Sequence, residues 1–479
     1  SSGLISAGSG VFDVSAMASG ATIKSLQGES SAGSGVILGA QTLTVSNATG
    51  EYSGKITGNS GRLVLAGGTQ VLTGTSDYTG GTEVQAGAQL ASGTYVGGVC
   101  QLCGVESRAY GTGLITVQSG GELNLVGRVL TNPISLSGNG RLVSSGGSSL
   151  YTGALSNNDP AGPNNFNGDF GRAKVAGAVT IASGGARIRG GYPFAISGPL
   201  AGVGELVTSG SELYLTGAYN HVGPLNVETG VLTITGAIAD SATSPSRSVT
   251  KSGAGVLVLS GDNSYTGPTT INQGAIRLGS QTALGGSSVS VTQQTGSSEG
   301  GMLDLYGVTL SKLNPLKISG FGAGSAGALV NSKPLAAAYA GPITLAGNAS
   351  IVAETGPISI VGDVNASVAN AQLTLGGSAG GSVSGSIGSG ITGLVKQGAG
   401  RWMLSGHNYY SGMTQVQAGA LAVSHGNALG MAPGLGSCSG SSCGTEVALN
   451  AALEITGDIA LDEEISLDGG KLLNGSGSN

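Results

Sequence analysis

The stretch Lys251-Ser-Gly-Ala-Gly-Val-Leu-Val-Leu-Ser-Gly261 decides the fold, because it recurs as Lys396-Gln-Gly-Ala-Gly-Arg-Trp-Met-Leu-Ser-Gly406. Aligned without a gap from Lys251 to Gly285, the two copies are identical at 16 of 35 positions. Lys, Asn, Tyr and Leu match as well as Gly, so a biased composition does not explain the likeness. Internal repetition of this kind is typical of solenoids, propellers and repeat arrays.

Each copy predicts short strands separated by turns. Val256-Leu-Val-Leu259 is a strand whose Leu257 and Leu259 point to one face. Tyr265 and Tyr410 are predicted to pack in the turns that follow, and Trp402, aligned with Leu257, is predicted to face the core. Glycines fit the corners because they tolerate backbone conformations that other residues avoid; we assign this role to Gly253, Gly255, Gly261, Gly267 and Gly274.

Two weaker copies extend the repeat to residues 213–230 and 63–87, and the first lies 44 residues before its partner. A strand this short cannot bury its apolar face alone, whereas coils stacked on one another build a continuous core. A coil of roughly 22 residues, half of that offset, predicts an all-β, elongated parallel β-helix (solenoid) along residues 1–479. Uneven spacing between the copies disfavours a propeller, which closes only with whole blades.

Composition agrees with a thin core. The chain has 92 glycines among 479 residues, 9% charged residues and 4% aromatic residues. The net charge of −6 and the lack of a basic run exclude nucleic acid as an expected partner. No apolar stretch approaches the ~18–20 residues that span a bilayer as a helix, so no membrane insertion by this chain is expected.

The four cysteines form two local pairs, Cys100/Cys103 and Cys438/Cys443. A CxxC pair is compatible with redox chemistry or with half of a zinc site. No histidine lies near either pair, so we predict two small structural disulfides in exposed loops, which are typical of an extracellular protein.

The string KSGAGVLVLSGDNSYTGPTTINQGAIRLGS at residues 251–280 resembles the passenger-associated repeat of bacterial type V autotransporters, and residues 396–423 resemble a second copy. This resemblance implies a right-handed parallel β-helix that is exported through an outer-membrane barrel to the cell surface or the medium. The chain lacks the aromatic-rich strands of such a barrel, and we expect it to be a passenger fragment with no enzymatic activity and no cofactor.

Serine proteases occur in the family, so the chain was searched for a catalytic triad. The three histidines, His221, His407 and His425, stand at turn positions of the repeat, and no nucleophile elbow GxSxG is present. The acidic run Asp462–Glu464 is predicted to be a solvated turn, because consecutive side chains alternate between faces. A polysaccharide-acting enzyme is therefore only a remote alternative.

Two segments depart from the repeat and are predicted to be loop insertions, residues 151–172 and 185–195. The second concentrates arginine and aromatic residues, which are enriched at interface cores. It predicts a partner-binding site at Arg187, Arg189, Tyr192 and Phe194.

Two functions fit this prediction. The first is an adhesin or autoaggregation protein, a virulence factor that binds host cells, host molecules or its own copies. The second is an immune-evasion protein that captures a soluble host plasma protein, such as a complement regulator or a protease inhibitor.

Overall fold

The computed structural model describes residues 4–6, 10–29, 35–93, 95–96, 99–100, 106–145, 148–158, 173–293, 299–431 and 444–476. The chain forms two compact units, Ser1–Gly236 (unit 1) and Ala237–Asn479 (unit 2). In the described parts of both units nearly every regular element is a β-strand, and one 3-10 turn at Ala323–Ser325 is the exception.

Unit 1 is a stack of short strands. The strands described there are β1 Leu4–Ser6, β2 Val11–Asp13, β3 Ala21–Ile23, β4 Ser25–Gln27, β5 Gly35–Ile37, β6 Thr42–Val45, β7 Glu51–Tyr52, β8 Lys55–Thr57, β9 Arg62–Leu65, β10 Gly68–Leu72, β11 Thr82–Val84, β12 Ala88–Ala91, β13 Tyr95–Val96, β14 Val99–Cys100, β15 Ile115–Val117, β16 Glu122–Asn124, β17 Val129–Leu130, β18 Ile134–Gly138, β19 Leu142–Ser145, β20 Ser148–Tyr151, β21 Leu155–Asn157, β22 Lys174–Val175, β23 Val179–Gly190, β24 Phe194–Ile196, β25 Leu200–Gly202, β26 Leu206–Gly210, β27 Glu212–Leu215, β28 Tyr219–His221, β29 Leu225–Val227 and β30 Val231–Ile234.

Unit 2 has the same construction. Its described strands are β31 Val249–Ser252, β32 Val256–Leu259, β33 Thr269–Ile271, β34 Gly274–Leu278, β35 Val289–Val291, β36 Gly301–Asp304, β37 Leu316–Gly320, β38 Leu329–Asn331, β39 Ala337–Tyr339, β40 Ile343–Ala353, β41 Ile358–Ile360, β42 Val364–Ala366, β43 Ala371–Gly377, β44 Gly381–Val383, β45 Ile391–Lys396, β46 Arg401–Leu404, β47 Met413–Val416, β48 Ala420–Val423, β49 Thr445–Val447, β50 Ala452–Thr456, β51 Ile465–Leu467 and β52 Lys471–Ser476.

Each strand pairs in parallel with the equivalent strand of the next coil, which confirms the predicted parallel β-solenoid. Leu213 in β27 pairs with Leu232 in β30, and Leu257 in β32 pairs with Ile276 in β34, an offset of 19 residues in both units. The estimate of roughly 22 residues per coil was therefore too long, because half of the 44-residue offset includes turns longer than those of a regular coil.

The core is one side chain thick, as the alternation in β32 predicted. Leu257 and Leu259 are fully buried, whereas Val256 and Val258 between them are half-buried. In the next coil Ile276 and Leu278 lie beside these leucines and are also fully buried. Trp402 faces the core as predicted, and its Nε1 donates a hydrogen bond of 3.0 Å to the Gly376 carbonyl.

The repeat tyrosines fill the turns from the inside. In three coils a buried tyrosine hydroxyl shares a hydrogen bond with the threonine hydroxyl four residues later: Tyr78 with Thr82 at 2.6 Å, Tyr265 with Thr269 at 2.7 Å, and Tyr410 with Thr414 at 2.7 Å. A buried hydroxyl needs such a partner, so tyrosine and threonine recur together.

The repeat lysines close the corners between coils. Lys251 is fully buried, and its Nζ donates to the carbonyls of Ser252, Gly253 and Gln273 at 2.8, 2.6 and 3.1 Å. Lys396 makes the same three bonds, to the carbonyls of Gln397, Gly398 and Ala418 at 3.0, 2.7 and 2.8 Å. The third carbonyl of each set belongs to the following coil, so each ammonium joins two coils.

Glycine is required at the corner beside each lysine. Gly274 has φ +67°, and a Cβ there would lie 2.5 Å from the Gly253 carbonyl oxygen. Gly419, its equivalent, also has φ +67° and the same close approach to Gly398. Only glycine combines this left-handed conformation with so little space.

Candidate binding surface

Three histidines were considered for catalysis, and their surroundings in the structure are structural. His221 is buried, with Nδ1 3.2 Å from the Tyr219 hydroxyl and Nε2 2.8 Å from the Gly204 carbonyl. His407 stacks on Tyr409 with ring centroids 4.6 Å apart, and the centroid of His425 lies 5.2 Å from His407. Within the described ranges, no group of three or more His, Cys, Asp or Glu side chains is placed to hold a metal ion.

An insertion leaves the solenoid of unit 1 between β18 and β21. Gly138 at the end of β18 pairs with Ala186 in β23, and Leu155 in β21 pairs with Ile188 in the same strand. Residues 139–154 of one coil therefore stand opposite the single residue Arg187 of the next. The strands β19 and β20 form an antiparallel hairpin within this insertion, against the parallel direction of the surrounding ladder.

The hairpin exposes a concentration of apolar side chains. Leu142 is 58% exposed, Leu150 51%, Val143 42% and Tyr151 42%. Because these residues belong to an excursion from the coil, they add nothing to the stacked core. Loops and excursions on a rigid scaffold are where binding residues concentrate.

Arg187 lies at the base of the hairpin. Its guanidinium is 5.9 Å from the centre of the Tyr151 ring, at the distance of a cation–π contact. The same guanidinium makes a two-pronged ion pair with Glu228, in which Nη2 lies 2.7 Å from Oε1 and Nη1 contacts Oε2. The ion pair fixes the arginine, so it presents Tyr151 in one orientation. We call Leu142, Val143, Leu150, Tyr151 and Arg187 the hairpin surface.

A hollow of about 440 Å³ opens beside the hairpin. Three glycines leave its floor free of side chains, and the hairpin forms one wall. The lining residues are Gly87, Ser119, Gly120, Asn139, Gly140, Arg141, Leu142 and Tyr151. The apolar surface therefore adjoins a concave, mostly polar one.

The prediction of a loop insertion at residues 185–195 is corrected by the structure. Arg187 and Arg189 lie in β23, which runs from Val179 to Gly190, and residues 191–193 alone connect it to β24. Ala186 and Ile188 face the core and the two arginines face outward, so the segment is an amphipathic strand.

The four predicted binding residues are therefore not equivalent. Phe194 is 1% exposed and packs in the core of β24, so its side chain is not on the surface. Arg189 and Tyr192 are half-buried, and Arg187 is the member that meets the hairpin. A binding role for Arg187, Arg189 and Tyr192 stays a prediction.

Other predicted features lie outside the described residues. Residues 159–172 of the first predicted insertion and Cys103, Cys438 and Cys443 are among them, and only the backbone of Cys100 is described, in β14. The two disulfides stay predictions. The hairpin residues were missed in the sequence, although Leu142-Val-Ser-Ser-Gly-Gly-Ser-Ser-Leu-Tyr151 has the two strands and the Gly-Gly turn typical of a hairpin.

Comparison with known families agrees with the repeat. The family model described as the passenger-associated-transport-repeat matches residues 67–88, 249–278 and 394–423. These ranges overlap three of the four copies recognised in the sequence, and the copy at 213–230 lies outside them.

One similar protein is the adhesin BmaC autotransporter of Brucella suis biovar 1 (strain 1330). The two are 26% identical over 410 residues, which is 79% of this chain and 10% of that relative, so the chain spans about a tenth of the relative's length. No solved structure matches the chain. None of the described helices has the length and apolar character needed to cross a membrane. The repeats, the β-solenoid and this likeness identify the chain as an autotransporter passenger domain.

Proposed function

We propose that this passenger is the binding part of an exported adhesin and that the hairpin surface makes its main contact. The likeness to an autotransporter adhesin is the observation that carries this proposal. A parallel β-solenoid presents side chains in fixed rows, so it acts as a rigid carrier for whatever leaves the coil. The protein then works at the cell surface or in the medium, as a non-catalytic scaffold that binds host cells or host molecules.

The hairpin surface supports the proposal chemically. Exposed leucine, valine and tyrosine side chains gain free energy when a partner covers them. Arginine and tyrosine are enriched among residues that dominate binding energy, and the Glu228 ion pair holds Arg187 before a partner arrives. A preformed contact of this kind loses little conformational entropy on binding.

The test is adhesion of beads that carry the purified chain to epithelial monolayers and to extracellular-matrix coatings. The double variant Leu142→Ser/Leu150→Ser keeps the β-sheet circular dichroism spectrum, because both side chains lie outside the core. We expect its adhesion to fall about tenfold or more, the effect of losing central apolar contacts. Leu313→Ser, at a residue of unit 2 that is 69% exposed, is the control and should adhere like the wild type.

The outcomes separate the alternatives. Full adhesion by a folded hairpin variant would remove this surface from the proposal, and a wild-type chain that binds no cell or matrix would remove adhesion itself. A wild-type chain that instead retains one protein from serum would point to immune evasion by capture of a soluble host protein. Clumping of bacteria that display the chain in serum-free buffer would point to self-association.

A further inference from the structure

A second concave site lies in unit 1, away from the hairpin in sequence. It is a cavity of about 410 Å³ that crosses several successive coils. Its lining is formed by Lys55, Thr75, Ser76, Asp77, Glu106, Ser107, Arg108, Gly111, Thr112, Thr131 and Asn132. We call it the polar hollow, because hydroxyl, amide and charged groups make up nearly all of that lining.

The charges of the polar hollow cancel. Lys55 Nζ lies 2.7 Å from Asp77 Oδ2, and Arg108 Nη2 lies 3.4 Å from Glu106 Oε2. Thr131 Oγ1 donates a 3.0 Å bond to the other oxygen of Glu106. An anionic or cationic ligand would have to compete with these internal pairs, so the site favours an uncharged one.

A buried hydroxyl in the wall lacks a partner. Ser107 is 1% exposed, and its Oγ makes no hydrogen bond in the described part of the chain. Asn132, 4% exposed, is by contrast held by its Nδ2, which donates to the carbonyls of Gly111 and Gly113 at 3.1 and 2.9 Å. An unpaired buried hydroxyl costs stability, and a ligand that bonds to it recovers that loss.

We infer that the polar hollow binds an uncharged carbohydrate. Its lining has no aromatic or large aliphatic side chain, so an apolar ligand would gain little from entering. The hydroxyls of Ser76, Ser107 and Thr112 can each donate or accept, which matches the hydroxyls of a sugar. The volume is within the range of small-ligand sites.

This inference rests on the proposed function for its setting, since a surface glycan is then within reach of the chain. Its failure is nevertheless distinct. Binding of free saccharide is measured without cells, whereas adhesion is tested with the hairpin variant, and either result can be obtained without the other.

The test starts with a glycan array that carries neutral hexose and N-acetylhexosamine oligosaccharides beside sialylated and sulfated ones. The strongest neutral saccharide is then titrated by calorimetry against the wild-type chain and Ser107→Ala. We expect the variant to bind roughly fivefold to tenfold more weakly, the effect of one lost hydrogen bond. Its thermal midpoint should not fall, because the deleted hydroxyl has no partner in the empty chain.

Two further variants make the result specific. Ser350 is also 1% exposed with an unpaired Oγ, but it lies in unit 2 outside the hollow, so Ser350→Ala should bind saccharide like the wild type. Thr112 is exposed, so Thr112→Trp fills the hollow without entering the core and should abolish binding. An array on which only charged glycans bind, or none, overturns the inference. So does unchanged affinity in folded Ser107→Ala and Thr112→Trp.

Discussion

At the residue scale, the repeat preserves side chains that serve buried polar chemistry. Lysine and tyrosine are unusual choices for a core one side chain thick, yet Lys251, Lys396, Tyr265 and Tyr410 are all fully buried. Each has hydrogen-bond partners at a corner or turn where backbone carbonyls and hydroxyls would otherwise be unpaired. The repeat therefore records where the coil turns, rather than where it binds.

The buried lysines make stability depend on pH. Burial lowers the pKa of Lys251 to about 7 and that of Lys396 to about 8, from 10.5. Between those values and 10.5 the unfolded chain binds more protons than the folded chain, so the free energy of unfolding rises with pH across that window. Acidification through the same window lowers it.

The measurement is urea unfolding of unit 2 signals between pH 7 and pH 10.5. Lys251→Met and Lys396→Met should each reduce the slope of the unfolding midpoint against pH, because methionine has no proton to exchange. Lys471→Met, at an exposed position of β52, should keep the wild-type slope. A slope that survives in the double variant of Lys251 and Lys396 would contradict the assignment.

At the element scale, the hairpin is separate from the ladder that supports it. Arg141 and Thr152 close its neck, with Thr152 N bonded to the Arg141 carbonyl at 2.9 Å and Arg141 N bonded to Thr152 Oγ1 at 3.1 Å. On the core side of this neck, β18 and β21 both pair with β23. The coil is complete without β19 and β20.

Replacement of residues 142–151 by Gly-Gly should therefore leave unit 1 folded. We expect the far-UV circular dichroism spectrum to keep its β form and the thermal midpoint to change little, because no core residue is removed. As a control, the same Gly-Gly replacement of Leu206–Gly210 in β26 should unfold the surrounding coils, since this strand pairs with β23 and β29. Loss of structure in the hairpin deletion would mean that the hairpin is part of the core.

The coils could be predicted from the sequence, and most of the binding surface could not. Repetition shows Leu257 and Trp402 in equivalent places, so one strand interprets the other. The hairpin occurs once, and its position opposite Arg187 depends on register between coils that no local pattern gives. Arg187-Ile-Arg189 was interpreted as a loop because of its charges, although the alternation with Ala186 and Gly190 is that of a strand.

At the scale of the whole molecule, stability is distributed along the stack. Each coil pairs mainly with the coils before and after it, so the free energy of unfolding is approximately a sum of local contributions. Damage to one coil should then affect its neighbours most. Trp402, the largest buried side chain, offers a strong test of this expectation.

Trp402→Ala should lower the free energy of unfolding of unit 2 by about 3–5 kcal/mol, the usual cost of deleting a large buried aromatic side chain. Amide hydrogen exchange should lose protection in β44, β46 and β48, which pair around this residue, and much less in unit 1. Met403→Ala, one position along and half-buried, is the control and should change protection little. A uniform loss along the chain would show that the molecule unfolds as one cooperative body.

The lysine corners also make the chain its own chemical clock. An amine that is buried and bonded to three carbonyls is hidden from acylating reagents, but once its corner opens it reacts readily, since much of it is uncharged near neutral pH. The acylation rates of Lys251 and Lys396, compared with exposed Lys471, would report how often those two corners breathe. Mass spectrometry of the acylated peptides would then time local opening at two known coils without any added label.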